Sequence, residues 1–383
     1  MPLKVLSARG SGSMAAIAQA IRFAADNGAR VINMSLGGPF PVSAIASAVK
    51  YARAKGVVVV AAAGNDGRGR VSYPARYPGV IAVAATQFDE SSTFYSNWGP
   101  EIDIAAPGGN VRVDQNGDGK PDGVLQNTIV PGNISRTDYL WFMGTSMASP
   151  HVAGVAALIV GAGVTSPDAV EEILLGSARK PAPRVGMAAE PAPEHGRIDD
   201  HVGAGIADAQ AALRRIKGRR GVGELGSALA LAIAGLGFLS RRGRSFHRPG
   251  LGFAAALLLG SSGVFVLPLL GLGHWLGSAS RAGALLSSGL LDGADSLLPP
   301  AWRGSPVVWS ALFPLAMVTL GLGVPSRARK VMAGAAFGIA GALMFAGMAA
   351  AFDVRFIPDV LDRTWLIANA ALSAVVAVLL LDR

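Results

Sequence analysis

Val57-Val58-Val59-Val60-Ala61-Ala62-Ala63 runs directly into Gly64-Asn65-Asp66-Gly67. A continuous apolar run describes a strand buried on both faces, and the Gly, Asn and Asp that follow describe a turn. Working outward, residues 15–27 read as a helix with Ile17, Ala20, Ile21 and Ala24 on one stripe and Gly28 as its cap. Val31-Ile32-Asn33-Met34-Ser35 is a strand, residues 42–55 a second helix closed by Gly56, and Val80-Ile81-Ala82-Val83-Ala84-Ala85 a further buried strand. Strands alternating with helices predict a parallel α/β sheet with right-handed crossovers. In such sheets functional residues gather at the carboxyl ends of the strands. The Pro/Ala/Glu-rich residues 180–194 read as a surface loop, and residues 206–216 as a final helix.

The 383 residues exceed one domain of usual size, and 51% apolar against 15% charged residues is too apolar for a disordered chain or a purely soluble enzyme. Residues 1–220 hold 22 Lys and Arg and 18 Asp and Glu, leaving 12 and 7 for residues 221–383. The second part is therefore charge-poor. The net charge of +9 sits mostly in basic runs beside apolar stretches, which argues for membrane topology and against a nucleic-acid partner. The absence of cysteine excludes disulfides, thiolate zinc sites and cysteine nucleophiles. The first six residues are too short an apolar run for a signal peptide.

Apolar segments lie near residues 225–240, 250–272, 305–324, 331–352 and 365–381. A bilayer core of about 30 Å needs about 20 such residues, so about five transmembrane helices are expected. Arg241, Arg242, Arg244 and Arg248 separate the first two segments, and Arg327, Arg329 and Lys330 the third and fourth; these loops are expected to be cytoplasmic. Asp292, Asp295, Asp353, Asp359 and Asp362 fall in the other loops, which leaves the N-terminal domain on the extracytoplasmic side. The amphipathic residues 282–298 read as a re-entrant or interfacial helix, and counting them as a span would reverse the C-terminus. The expected domains are residues 1–213, a basic linker at 214–224, and a membrane region at 225–383.

Gly144-Thr145-Ser146-Met147-Ala148-Ser149-Pro150-His151-Val152-Ala153-Gly154 sets small residues around one hydroxyl at a helix start. Thr-Ser before an apolar run is ordinarily a helix N-cap. The same arrangement exposes Ser146 and aims backbone N–H groups, with the positive end of the helix dipole, at an oxyanion forming there. Asn65, where a strand ends, has an amide able to donate at the same edge. A serine needs a base and an orienting carboxylate to attack. His151, five residues along the same helix, cannot easily turn back to the Ser146 oxygen.

Together with Val31 to Gly38, Ala62-Ala63-Gly64-Asn65, Ser72-Tyr73-Pro74-Ala75, Tyr95-Ser96-Asn97-Trp98-Gly99 and Ala105-Ala106-Pro107-Gly108, that stretch resembles the subtilisin-like serine proteases, the subtilases of peptidase family S8. The resemblance implies a subtilisin-like parallel sheet flanked by helices, incomplete at the N-terminus, followed here by an α-helical transmembrane bundle. It implies Ser146 as nucleophile, Asn65 as oxyanion-hole amide, Ser35, Leu36 and Gly37 as an edge pairing with an extended polypeptide substrate, and Ala62, Ala63 and Gly64 lining the first pocket. It assigns His151 a structural role. The family's Asp-Thr/Ser-Gly and His-Gly-Thr-His segments have no counterpart in this sequence, and Met1 to Leu6 resembles an interior strand of the fold. The chain as written is accordingly expected to lack the catalytic Asp and His and to be nearly inactive alone.

No cofactor is expected for catalysis. Asp114-Gln115-Asn116-Gly117-Asp118-Gly119-Lys120-Pro121-Asp122 resembles the start of a calcium loop, with Asp114, Asn116, Asp118 and Asp122 as candidate ligands of a structural Ca2+ and Leu125 where the loop's Glu would stand. Two functional readings follow: a membrane-tethered serine endopeptidase, and a non-catalytic subtilase remnant that binds peptides or serves as a membrane scaffold.

Overall fold

The computed structural model describes residues 1–130, 132–181, 199–241, 249–261, 324–349 and 359–382. It divides into two units, Met1–Arg215 and Ile216–Arg383.

The first unit holds a four-stranded parallel sheet, β1 (Val31–Met34), β2 (Val58–Ala62), β3 (Val80–Thr86) and β4 (Ile104–Pro107), whose spatial order is the chain order. Val31 sits opposite Val58, Val59 opposite Val80 and Val83 opposite Ile104. Every residue of β2 and β3 is buried, which explains the unbroken apolar runs: both faces are covered, and a polar side chain, Thr86, comes only at the last position of β3. Helices α1 (Met14–Asp26) and α2 (Ser43–Ala54) cover one face, bringing Ile17, Ile21, Ile45 and Val49 onto Val59, Ala61, Ala82 and Ala84. Helix α3 (Thr145–Gly161) contacts all four strands, burying Ala148, Val152, Ala156 and Ile159 at helical spacing. Helix α4 (Pro167–Gly176) packs on α3, and the strands β5 (Val124–Val130) and β6 (Asn133–Phe142) pair as a separate antiparallel hairpin just before α3.

The two sheet edges differ. Residues 203–207 return along β4, where the Ala105 N–H donates to the Gly205 carbonyl and the Ala207 N–H to the Ala105 carbonyl. Among the described residues β1 pairs only with β2, and it keeps Val31 and Ile32 half-buried beside a cavity of about 730 Å³ lined by Val5, Leu6, Ile21, Ile32 and Leu36. Residues 1–6 form no strand there. Pro2 has no N–H to give a ladder, and the segment closes a turn through the Ser7 N–H and Ser11 carbonyl instead.

Two other expectations change. The final helix of the first unit does not start at Ile206, which is spent on the β4 edge; helix α5 spans Ala209–Arg241. It therefore includes residues 214–224, where a linker was expected: that stretch of Arg, Lys, Ile, Val, Glu and three Gly holds no proline to stop it.

In the second unit the later part of α5 joins α6 (Leu251–Ser261), α7 (Ser326–Ala349) and α8 (Asp359–Leu381). Among the described residues three helices are long and apolar enough to cross a membrane: Val222–Arg241, Ser326–Met348 and Arg363–Leu381. They coincide with the first, fourth and fifth expected segments. The second segment is described only to Ser261; the third, the 282–298 stretch, and Arg242, Arg244, Arg248, Asp292, Asp295 and Asp353 lie outside the described residues. The helices pack closely through small residues: a Cβ on Gly341 would stand 2.3 Å from the Ala228 nitrogen, and one on Gly334 2.2 Å from the Phe253 carbonyl oxygen.

Candidate active site

Residues 143–146 leave the exposed hairpin and enter the buried helix α3 through Gly144, whose φ of +149° suits glycine best. An α-helix leaves its first N–H groups without helical partners. Here the Thr145 N–H donates to Asn65 Oδ1 at 2.8 Å, while the Met147 N–H turns back to the Gly144 carbonyl at 2.9 Å. Among the described residues the Ser146 N–H has no protein acceptor, and its hydroxyl is half-buried beside it.

Asn65 follows β2, on the exposed turn that ends the buried run. Its Oδ1 accepts from both the Thr145 N–H and the Thr145 hydroxyl, the latter at 2.9 Å. Because a backbone N–H can only donate, this pairing fixes which end of the amide is oxygen. The NH2 end is left as the donor; its nitrogen and that of Ser146 lie 3.7 Å and 3.6 Å from where a Gly144 Cβ would stand. Thr145, fully buried, also accepts the Gly64 N–H at 3.2 Å, so one threonine ties both sides of the turn together.

The turn itself is built by Asn97. Buried to 1% exposure, Asn97 accepts the N–H groups of Asp66 and Arg68 and donates to the Ala63 carbonyl at 3.2 Å. A Cβ on Gly64 would lie 2.3 Å from Asn97 Nδ2, so the approach requires glycine there. Ala62 and Ala63 are buried in the sheet, and Gly64 is half-buried.

Ser35, Leu36 and Gly37 continue from β1 on the other side of Ser146. Ser35 Oγ donates to the Ser146 carbonyl at 2.8 Å, and Ser146 Oγ lies 3.5 Å from the Ser35 carbonyl. Asn33 Nδ2 supports Ser35 Oγ at 3.1 Å, and Ser149 Oγ donates to Asn33 Oδ1 at 2.5 Å. Residue 37 lies against Ser72 and Tyr73, and the Gly38 and Tyr73 backbones exchange two hydrogen bonds. The structure thus brings Ser146, Asn65, Ser35 and the chain end of β2 into one cluster.

His151 Nδ1 lies 2.8 Å from the Met147 carbonyl, which makes that nitrogen the protonated one and turns the ring along the helix, away from Ser146 Oγ. His201 stacks on Trp98 with ring centres 5.0 Å apart. The remaining histidines lie outside the described residues. Asp114 accepts from the N–H groups of Gly117, Asp118 and Gly119, Asp118 Oδ1 from that of Lys120, and Asp122 Oδ2 from that of Gln115. Asn116 Oδ1 accepts the Asp118 N–H. The loop's oxygens are therefore turned onto its own amides, and among the described residues no three His, Asp or Glu side chains converge to hold a metal ion.

Thr145, Asn97 and Tyr95 are the site residues whose roles the sequence did not disclose. Their signal was present only as membership of the quoted motifs; each acts through a contact 14 to 80 positions away along the chain.

A family model described as the subtilase family matches residues 1–205. M-protease of Shouchella clausii (strain KSM-K16) is 45% identical over 157 residues, covering 41% of this chain and 36% of that protein. Subtilisin Savinase of Lederbergia lenta is 44% identical over 157 residues, 41% of this chain and 51% of its own length. Thermitase of Thermoactinomyces vulgaris is 40% identical over 163 residues, 43% and 52% respectively. The chain thus spans about a third to a half of the length of the curated relatives it matches. Among solved structures, a protease from Pseudoalteromonas arctica PAMC 21717 aligns with a TM-score of 0.46 and 37% identity, over 54% of this chain and 60% of that one. With its parallel sheet and the turn before α3, this chain belongs to the subtilase family.

Proposed function

We propose that the protein is a membrane-tethered serine endopeptidase that cleaves polypeptides through an acyl-enzyme on Ser146. The observation that supports this most directly is that a half-buried Ser146 carries an N–H, and Asn65 an NH2, without an acceptor among the described residues, both within 3.7 Å of where a Gly144 Cβ would stand. In this reading an extended substrate pairs with residues 35–37, a strand-addition mode in which backbone bonds give affinity. Ser146 Oγ attacks the scissile carbonyl carbon as its proton passes to a base, and the two donors and the α3 dipole hold the oxyanion. Collapse of the tetrahedral species releases the amine product, and water then releases the acyl group. Ala62, Ala63 and Gly64 bound the first pocket, and their small size leaves room for a sizeable apolar side chain. The base, an imidazole with its orienting carboxylate, is to be supplied from outside the described residues.

The second unit is read as the tether, crossing the bilayer through its apolar helices with the first unit on the extracytoplasmic side. Arg327, Arg329 and Lys330 at the start of α7 support a cytoplasmic position for that end. The Asp114 to Asp122 loop, as folded, offers a cation no converged ligand set, so no step is routed through calcium.

A fluorophosphonate probe tests the reading. It should label the full-length protein at Ser146, with labelling abolished by Ser146→Ala and slowed about 10²–10³-fold by Asn65→Ala. Failure to label a folded, full-length protein would remove the enzyme claim.

One observation favours a second reading, a non-catalytic peptide-binding module. Neither described histidine with a placed ring, His151 or His201, is engaged with Ser146 Oγ. Peptide binding that persists in Ser146→Ala without any labelling of the parent would select it.

A further inference from the structure

Gly144 is a hinge between two unlike neighbours. Before it lies β6, mostly exposed; after it lies α3, buried against the sheet. Rotation at such a glycine would carry the Thr145 and Ser146 N–H groups with it, because both follow in the chain. Something has to restrain it.

Tyr95 supplies a restraint. Its side chain is 7% exposed, its ring meets Phe94 edge-on at 5.2 Å, and its hydroxyl reaches the hinge from behind. That hydroxyl accepts the Gly144 N–H at 3.0 Å and donates to the Gly109 carbonyl at 2.7 Å. The Gly144 N–H is shared with the Gly108 carbonyl, also at 3.0 Å. Gly108 has room for this only as glycine, since a Cβ would stand 2.9 Å from the Tyr95 oxygen and 2.4 Å from the Ala85 Cβ. The phenol thus bridges the hinge to the segment leaving β4. Phenylalanine would fill the same space and make neither bond. The hydroxyl therefore adds a second tie, through Gly109, to the one that the Gly108 carbonyl already makes.

We propose that Tyr95 is a positioning residue for the oxyanion donors: its hydroxyl fixes the Gly144 hinge and thereby the direction of the Ser146 N–H. The claim that this matters to catalysis rests on the serine-peptidase reading; the claim that the hinge is clamped does not.

Two measurements on Tyr95→Phe in the full-length protein, reconstituted in lipid nanodiscs, separate them. Hydrogen exchange should speed up in peptides covering residues 143–149 while peptides from β2 and β3 stay protected. Fluorophosphonate inactivation should show the first-order constant falling about tenfold with the probe's binding constant unchanged, because a lost neutral hydrogen bond is worth about that factor. Unchanged exchange at 143–149 overturns the clamp. Faster exchange throughout the sheet also overturns it, since that would be a general loss of stability. Local loosening with an unchanged inactivation constant overturns the positioning role. If the parent protein itself is not labelled, the peptidase reading fails and the positioning role with it, while the exchange result still decides the clamp.

Discussion

The Ser35 hydroxyl donates to the Ser146 carbonyl at 2.8 Å, filling the bond that Pro150, four residues further along α3, has no N–H to make. A proline early in a helix normally leaves a carbonyl to water. Here it leaves one for the strand end that lines the same site, so the proposed substrate edge and the nucleophile are tied by a bond the helix itself vacates.

This relationship predicts a coupling. Ser35→Ala should lower the stability of the first unit by about 1 kcal/mol, measured by urea unfolding. Pro150→Ala restores a helical donor for the Ser146 carbonyl, so adding Ser35→Ala in that background should cost clearly less. Equal costs in the two backgrounds would show that the two residues do not share that carbonyl.

Thr145 should matter for its oxygen and its N–H together. Thr145→Val keeps the shape and the backbone donor but loses the hydroxyl that binds Asn65 Oδ1 and accepts the Gly64 N–H. A fully buried Gly64 partner lost in this way is expected to cost about 1–2 kcal/mol and to slow labelling of Ser146, whereas Thr145→Ser should keep both near the parent values. Labelling as fast in Thr145→Val as in Thr145→Ser would show that Asn65 is held without it.

The turn after β2 should fail by a different route. Gly64→Ala forces a Cβ toward Asn97 Nδ2 and Ser72 Oγ at a φ of +109°. Strain of about 1–3 kcal/mol is expected from the backbone alone, before the displaced Asn97 gives up the Asp66 and Arg68 N–H groups. Thermal unfolding reads this, and a melting temperature equal to the parent's would contradict the packing.

The phenol of Tyr95 gives a pH dependence. Burial pushes its pKa above the ordinary value, partly countered by the Gly144 N–H that its oxygen accepts. A raised folded-state pKa means that its stabilising contribution is fully present below the unfolded value of about 10 and is lost as pH climbs through the folded one. Tyr95→Phe should therefore be the less stable form near neutrality, and the gap should close at strongly alkaline pH. A gap that stays constant to the alkaline limit would mean that the phenol does not ionise on unfolding.

Calcium chelation should leave labelling of Ser146 unchanged, because the Asp114 loop is closed by its own amides. A melting temperature or labelling rate that drops with EDTA and returns with Ca2+ would instead give that loop a cation.

Much of the fold could be read along the chain. The runs 57–63 and 80–85 are unbroken because both sheet faces are covered, and α1 and α2 carry their apolar stripes at helical spacing with Gly28 and Gly56 just past their ends. The elements that depart from their local pattern are those decided by partners. Residues 1–6 have strand composition but form no ladder with the open β1 edge, and Ile206 has helical neighbours but pairs with Arg179 and Ala105 at the β4 edge. The continuation of α5 through 214–224 is not legible as helix propensity, since Gly218, Gly221 and Gly223 all weaken it.

What the sequence by itself determined is local: which segments are buried, where turns fall, and that Ser146 sits on a small-residue helix start. Burial periodicity and turn chemistry are short-range properties, written in neighbours along the chain. Only the tertiary structure decided which end of the Asn65 amide is oxygen, that Ser35 supplies the donor missing at Pro150, and that a phenol from Tyr95 holds Gly144. A hydrogen bond depends on about 3 Å of space between two groups, and no spacing in sequence encodes that distance until the strands and helix are packed.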